Sequence, residues 1–302
     1  MSDLIVTPPV TAYPKTMASV STVVEASGRT RMRLLVWPRE HGAWGILGVS
    51  LATGAAAGAA HGRHPISLLL FIAAALSVFC LRTPLESLIG NTSMRAQTVS
   101  ERLAARRAVI VFSAIALLAA VGLFWGGRDL GLLALAAMSG YLYMVQGMLR
   151  KLGRSARMAA QLVGAVGMTS SAAGAYYVMT GQFSRTALSL WLMNWVFAGN
   201  QIHFVQVRIH SARLLGRTTR LARGRVFLAF QLVMMLALAW YWRQGLLSGL
   251  ALGAFVPIFV RGVAWFLRPP GPLDIRRLGL SELAHALVFG ALLTAGLCLT
   301  GV

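Results

Sequence analysis

The sequence predicts an all-α, polytopic membrane protein with about nine transmembrane helices. Apolar residues make up 57% of its 302 residues and charged residues only 12%, which is about half the charged share of a soluble domain. The apolar residues form runs of about twenty rather than alternating with polar ones, and such runs are long enough to cross a bilayer as helices. The mean hydropathy of +0.69 agrees with this class.

The apolar runs divide the chain into nine predicted helices separated by short polar loops. They are 42–61, 65–90, 108–126, 129–149, 158–180, 186–208, 225–243, 246–267 and 281–300. The second contains Pro84, which lacks a backbone N–H and therefore predicts a kink. Residues 1–36 are polar and have no apolar core of signal-peptide length, so we expect a mobile cytosolic tail before a single transmembrane domain at 37–302.

The basic residues alternate between loops. The tail and every second loop carry three to six Lys or Arg, whereas the remaining loops carry one each, at Arg63, Arg128, Arg185 and Arg243. The positive-inside rule then places the N-terminus in the cytosol and the C-terminus outside a bacterial-type plasma membrane. Topology and anionic lipid also account for the net charge of +20, so we expect no nucleic-acid partner.

Polar side chains within or beside the predicted helices collect at the cytosolic face. Such groups are costly in lipid, so their clustering predicts a polar cavity open to the cytosol. The residues assigned to it are Arg39, Glu40, His41, Arg82, Glu86, Asn91, Asn200, His203, Arg208, Arg261, Glu282 and His285.

Several of these residues also have local interpretations. Arg82 and Glu86 have the i,i+4 spacing of a helix-surface ion pair. Ser281 and Glu282 have the types expected of an N-cap and a first-turn acid for the last helix. The basic segment 208–225 is partly amphipathic and is expected either to lie on anionic lipid or to act as a lid that gathers phosphate.

The sixth helix carries polar residues on two nearly opposite arcs. At 100° per residue, Asn200, His203, Gln206 and His210 fall on one arc. The other arc contains Asn194, Gln201 and Arg208. We expect one arc to line the cavity and the other to bond to a neighbouring helix or to headgroups.

Two segments carry a family resemblance. The stretch "PREHGAWG", residues 38–45, resembles the opening motif of YwiC-like membrane proteins, P-x-E-H-G-A-W, and "LGLSELAHALVFG", residues 278–290, resembles their last helix. The matching positions in the second segment are Gly279, Glu282, His285 and Phe289. With the helix count, the resemblance covers about residues 37–300 and implies the same membrane architecture.

Nine helices with a cytosolic polar mouth also resemble the UbiA prenyltransferase superfamily. That resemblance implies a UbiA-like bundle, an isoprenoid or other amphipathic ligand, and two N-D-x-x-D motifs that hold Mg²⁺ for a prenyl diphosphate. Here the two corresponding segments, "PLESLIGNTSMRAQ" and "NQIHFVQVRIH", contain no aspartate. The chain's aspartates are Asp3, Asp129 and Asp274.

Two chemistries remain open for this cavity. Glu40, Glu86 and Glu282 can hold one Mg²⁺ if they converge, or arginines can bind the diphosphate directly. A transferase of this kind would use catalytic residues from the set Glu40, His41, His203, Glu282 and His285. It would bind substrate through Arg39, Arg82, Glu86, Asn91, Asn200, Arg208 and Arg261.

Three other classes compete with a prenyltransferase-like enzyme. A carrier or exporter of a small solute would need a midplane site, and no inverted repeat supports one. A haem or metal protein would have to use His41, His203 and His285, without an i,i+4 histidine pair. An accessory membrane protein would have no ligand. The residues do not decide the oligomeric state.

Overall fold

The computed structural model describes residues 31–38, 41–62, 64–90, 95–127, 130–153, 155–212, 216–245, 247–268 and 273–300. Within these ranges every regular element is an α-helix, and a short helical stretch at 31–36 precedes the first long one. The helices are α1 His41–His61, α2 Pro65–Ile89, α3 Val99–Trp125, α4 Leu130–Lys151, α5 Arg157–Thr180, α6 Arg185–His210, α7 Arg217–Arg243, α8 Gly249–Gly253, α9 Val256–Leu267 and α10 Ile275–Thr300.

The all-α membrane class is confirmed. Seven candidate spans in the described residues are long and apolar enough to cross a membrane, with α8 and α9 counted together. The other two long helices, α5 and α6, have 24 and 26 residues and thus reach about 36 and 39 Å, but they are more polar. The prediction of nine spans is therefore confirmed for seven, and spanning by α5 and α6 stays a prediction.

Three helices begin six to nine residues before their predicted starts: α3 begins at Val99, α7 at Arg217 and α10 at Ile275. An apolar window detects the part of a helix that fits in lipid, whereas the helix itself continues into the polar interface. At α10 the prediction of Ser281 as N-cap is wrong. Asp274 has that position, and its side chain accepts a hydrogen bond from the Arg277 amide at 3.0 Å.

The predicted helix 246–267 is interrupted. It consists of α8 and α9, separated by Ala254 and Phe255, and Pro257 lies in the first turn of α9, where its missing N–H removes no intrahelical bond. Ser248 is the N-cap of α8, and its hydroxyl accepts a hydrogen bond from the Ala251 amide at 3.2 Å. By contrast, α2 continues through Pro84 as one helix.

The chain groups into two compact units, one within 1–39 and 78–114 and the other within 40–77 and 115–302. In the first unit, the start of α3 is fixed by Glu101. Its carboxylate accepts from the amides of Gln97 and Thr98 at 2.7 and 3.2 Å and pairs with Arg31 at 2.6 Å.

In the second unit, α1 packs closely on α5 because of small residues at four-residue spacing. A Cβ at Gly54 would overlap the carbonyl oxygen of Ala172, and one at Gly58 would lie 2.7 Å from Met179. This is the small-residue packing through which membrane helices approach each other. Substitution at Gly54 would therefore separate the two backbones.

Helix α6 lies among α1, α5, α7 and α9, and α10 packs on α1, α8 and α9. Aromatic rings fill the contacts: Phe197 stacks on Phe289 with centroids 4.0 Å apart, and Phe255 meets the same ring edge-on at 5.2 Å. The central position of α6 explains its polarity, since its side chains contact other helices and do not need to match lipid.

Candidate functional site

A buried ion pair joins α9 to α10. The guanidinium of Arg261 pairs with the carboxylate of Glu282, and each side chain is about 10% exposed. A second amino group of Arg261 donates to the side-chain oxygen of Asn200 on α6 at 3.4 Å. Two opposite charges in such surroundings are costly to desolvate, so this pair is weak as a device for stability alone.

Amide side chains extend the ion pair to a third and fourth helix. Asn200 donates to the side-chain oxygen of Gln231 on α7 at 2.9 Å, and Gln201 donates to the backbone oxygen of Glu282 at 2.8 Å. Asn200 and Gln231 are 0% and 1% exposed. Gly262 permits this approach, because a Cβ there would overlap the Gln231 amide nitrogen.

This polar cluster has unused hydrogen-bonding atoms. Oε1 of Glu282, Nε of Arg261 and Nε2 of Gln231 are buried and have no hydrogen-bond partner within the described part of the chain. Each such atom costs about 1–3 kcal/mol if it stays unpaired. Three of them around one ion pair mark the cluster as a candidate binding site.

A group of arginines and aromatic rings continues from the ion pair. The Arg261 guanidinium lies 4.2 Å from the ring centroid of Phe204. Arg208 lies 5.9 Å from Phe204 and 5.5 Å from Trp265, and Arg220 lies 5.5 Å from the same Trp265. These cation–π contacts hold three guanidinium groups along one aromatic surface.

Arg220 is the most deeply buried of these arginines, at 3% exposure. It donates to the backbone oxygen of Arg268 at 2.7 Å, and its Nε has no partner among the described residues. The flanking segments outside the described residues, 213–215 and 269–272, contain no acidic residue. These two segments therefore supply no carboxylate that could pair with Arg220.

The balance of charge at the cluster is positive. Each of the four acidic residues in the described ranges has its own arginine: Glu86 with Arg82, Glu101 with Arg31, Asp274 with Arg277, and Glu282 with Arg261. Among the described residues there are thus three guanidinium groups around Phe204 and Trp265, and one carboxylate, that of Glu282.

The two predicted histidines on these helices lie beside the cluster. His203 sits against Phe227 and Phe230, with ring centroids 5.2 and 5.7 Å apart. His285 donates from Nδ1 to the backbone oxygen of Ser281 at 2.6 Å. That bond places a proton on Nδ1, and Nε2 of the neutral ring is then an acceptor with no hydrogen-bond partner among the described residues.

The structure brings together Asn200, Arg208, Arg261 and Glu282, and it places Arg82 and Glu86 in the other unit. There the two pair with each other at 3.0 Å across one helical turn, as their i,i+4 spacing predicts. Arg39, Glu40 and Asn91 lie outside the described residues, as does the side chain of His41. Convergence of Glu40, Glu86 and Glu282 on one Mg²⁺ therefore stays a prediction. No group of three or more His, Cys, Asp or Glu side chains suited to a metal occurs in the described ranges.

Both polar arcs of α6 contribute residues to the cluster, contrary to the expectation that only one would. Asn200 from one arc and Gln201 from the other both bond to the ion-pair helices, and Arg208 interacts electrostatically with Glu282. The pair faces the boundary between the arcs. Gln206, which shares an arc with Asn200, turns away and donates to Gln161 on α5 at 2.9 Å.

Sequence reasoning missed Gln231, Arg220, Phe204 and Trp265. Gln231 had a readable signal, as the lone amide in the apolar run "FLAFQLVMMLALAW". Arg220 falls in the predicted basic loop at 208–225, and that prediction is wrong for most of the segment: α6 continues to His210 and α7 begins at Arg217.

The comparisons with known proteins concern mainly the first half of the chain. No curated protein matches it. A model of the family described as YwiC-like protein matches residues 37–176. The match includes the PREHGAWG motif and α1 to α4, and it ends within α5, before the helices that carry the polar cluster. The chain is thus an integral membrane protein whose N-terminal half, from residue 37, is similar to the YwiC-like family.

Proposed function

We propose that the cluster around Arg261 and Glu282 binds the anionic head of an amphipathic lipid, of which an isoprenoid diphosphate is the form suggested by the UbiA resemblance. The observation that carries the proposal is an excess of positive charge within the described part of the chain: three buried or half-buried guanidinium groups lie along one aromatic surface, with the carboxylate of Glu282 beside them. A phosphate-bearing ligand would neutralise this excess.

The side chains have separate roles in this proposal. Arg208 pairs with no carboxylate among the described residues, and its planar guanidinium suits two parallel hydrogen bonds to phosphate oxygens. Glu282 holds Arg261 in place, and Asn200 fixes the second amino group of the same guanidinium. Phe204 and Trp265 cover the guanidinium faces and offer an apolar surface to the ligand's chain.

Direct capture by arginine is favoured over capture through Mg²⁺. Glu282 and Glu86, two of the three glutamates considered for a metal, are each engaged by an arginine. A metal ion bound to such a carboxylate would lie close to the guanidinium paired with it, and the two positive charges would repel each other. If a transfer reaction follows binding, His203 and His285 are the nearest candidates for moving a proton.

A carrier is the second candidate, and the depth of the amide pair favours it. Asn200 lies ten residues from the end of α6 at His210, and Gln231 lies twelve residues from the end of α7 at Arg243. At 1.5 Å per residue both amides are about 15–18 Å from the helix ends, near the bilayer midplane if the helices span it. A carrier would use such groups to pass an anion across.

The first experiment is binding of a radiolabelled prenyl diphosphate to the purified protein with Mg²⁺ and with EDTA. We expect binding that survives EDTA and falls about tenfold in Arg208→Gln, the loss of one charge-assisted contact. Arg223→Gln is the matched control, because Arg223 is an exposed arginine of α7. Binding that requires Mg²⁺, or equal loss in both variants, would contradict direct capture.

Uptake of the same ligand into proteoliposomes separates the two candidates. Binding without uptake supports a lipid-binding protein or enzyme, and conversion of the ligand in the presence of an acceptor supports an enzyme. Uptake that is lost in Arg208→Gln, with no product formed, would favour the carrier.

A further inference from the structure

A second basic site lies in the other unit, where α2 ends and α3 begins. A pocket of about 400 Å³ is lined there by Ser87, Leu88, Ile89, Gly90, Arg95, Ala96, Arg102 and Arg106. Both helices are apolar enough to span a membrane, so the pocket lies at the level of lipid headgroups. Its volume suits a headgroup rather than a whole lipid.

Of the described residues that line this pocket, three are arginines and none carries a carboxylate. Arg102 and Arg106 are one helical turn apart on the same face of α3. The neighbouring acids are engaged elsewhere, Glu86 by Arg82 and Glu101 by Arg31. The pocket is therefore open to an anion.

Two of the arginines are held to the backbone through their Nε atoms. Nε of Arg95 donates to the Gly90 oxygen at 2.9 Å, and Nε of Arg102 donates to the Ala96 oxygen at 3.3 Å. The two terminal amino groups of each guanidinium have no hydrogen-bond partner within the described ranges, and their fork matches a phosphate.

Gly90 permits this arrangement. It has a φ of +80°, and a Cβ at this position would lie 2.9 Å from Nε of Arg95. Only glycine adopts that backbone conformation without strain and also leaves room for the arginine.

We propose that this pocket binds the phosphodiester headgroup of an anionic phospholipid. Three guanidinium groups at headgroup depth, with no acid among them, match a singly charged phosphodiester and discriminate against a zwitterionic lipid. The site is independent of the cluster around Arg261 and holds whether or not that cluster binds a lipid.

The test is lipid retention by the purified full chain, measured by native mass spectrometry after incubation with phosphatidylglycerol or phosphatidylcholine. We expect phosphatidylglycerol to be retained about tenfold more strongly, and the double variant Arg102→Gln/Arg106→Gln to lose that preference. Arg107→Gln is the matched control, since Arg107 is exposed on α3 and does not line the pocket.

Two further variants show whether retention depends on this pocket in particular. Gly90→Ala keeps every charge but displaces Arg95, and we expect it to weaken retention as well. Arg223→Gln removes an exposed arginine of the other unit that belongs to neither cluster, and it should leave retention unchanged. Equal retention of the two lipids, or equal loss in Arg107→Gln, would overturn the proposal. Binding of inorganic phosphate with no preference for phosphatidylglycerol would also overturn it and identify a soluble phosphate ligand.

Discussion

Helix α6 carries two buried polar networks six residues apart, and they differ in kind. Asn194 donates to the hydroxyl of Thr53 at 3.1 Å and to the backbone oxygen of Leu190 at 2.9 Å, and its own oxygen accepts from Ser50 at 3.2 Å. The network of Asn200, Gln231, Arg261 and Glu282 is charged and includes three unpartnered atoms within the described part of the chain.

The difference separates a structural network from a binding site. Around Asn194 the polar groups are neutral and find partners on α1 or on α6 itself, as interhelical hydrogen bonds in membrane proteins do. Around Asn200 a salt bridge is buried and left with unused capacity, although neutral residues would be easier to bury. Substitutions in the first network should therefore change stability alone, whereas those in the second should also change ligand binding.

The largest effect is expected from breaking the ion pair on one side. Glu282→Ala leaves the Arg261 charge buried without its partner, and we expect a loss of about 3–5 kcal/mol in the free energy of unfolding. The measurement is the thermal or denaturant midpoint of the purified protein in detergent.

A double variant tests whether the unpaired charge of Arg261 causes this loss of stability. Arg261→Met/Glu282→Leu removes both ions and should recover most of the lost stability, while anion binding should weaken because the Arg261 guanidinium is gone. If Glu282→Ala unfolds at the same midpoint as the parent protein, the pair is not buried as described.

Gly262→Ala should disturb the same cluster by steric means. The added methyl group would overlap the Gln231 amide and lie 3.1 Å from the Phe227 ring, and overpacking of this kind costs about 1–3 kcal/mol. Gly279→Ala is the control, since a Cβ there meets nothing within 4 Å. Similar unfolding midpoints for both variants would mean that the cluster has room to adjust.

The network around Asn194 should respond in stability and not in binding. Asn194→Leu removes the acceptor of the Ser50 hydroxyl and one donor to the Thr53 hydroxyl, which still donates to the backbone oxygen of Ser50. We expect a loss of about 1–2 kcal/mol. Prenyl diphosphate binding should keep its parental affinity. Asn194→Leu/Ser50→Ala removes the stranded hydroxyl and should be more stable than the single variant. If Asn194→Leu impairs binding, the two networks act together in ligand binding and the distinction between them is wrong.

The sequence predicted the membrane helices well, because long apolar runs have few alternative structures in lipid. The second predicted helix, 65–90, differs by one residue from the observed α2, Pro65–Ile89. It also predicted that Asn200, Arg208, Arg261 and Glu282 would meet, since rare polar groups near one membrane face have reason to cluster.

Other features depended on information that periodicity does not carry. The break at Ala254 and Phe255 follows from packing at the centre of the bundle, where both residues are fully buried. The part of α6 that faces the ion pair depends on where α9 and α10 lie around it, and helical angles alone leave that undetermined. Arg220 resembles the many loop arginines in the sequence, and only the early start of α7 distinguishes it from them.

The smallest effect on stability is expected from Gln231→Leu, which is also the sharpest test of the difference between the two polar networks. The change removes one hydrogen bond to Asn200, but it also removes the buried Nε2, which has no partner among the described residues. The two contributions oppose each other, so we expect a net change of less than about 1 kcal/mol in unfolding free energy. Ligand binding should still weaken, because Asn200 loses the partner that orients it toward Arg261. If the variant keeps its stability and loses binding, the Gln231 amide serves ligand binding. If it binds the ligand as the parent protein does, only the arginines form the site.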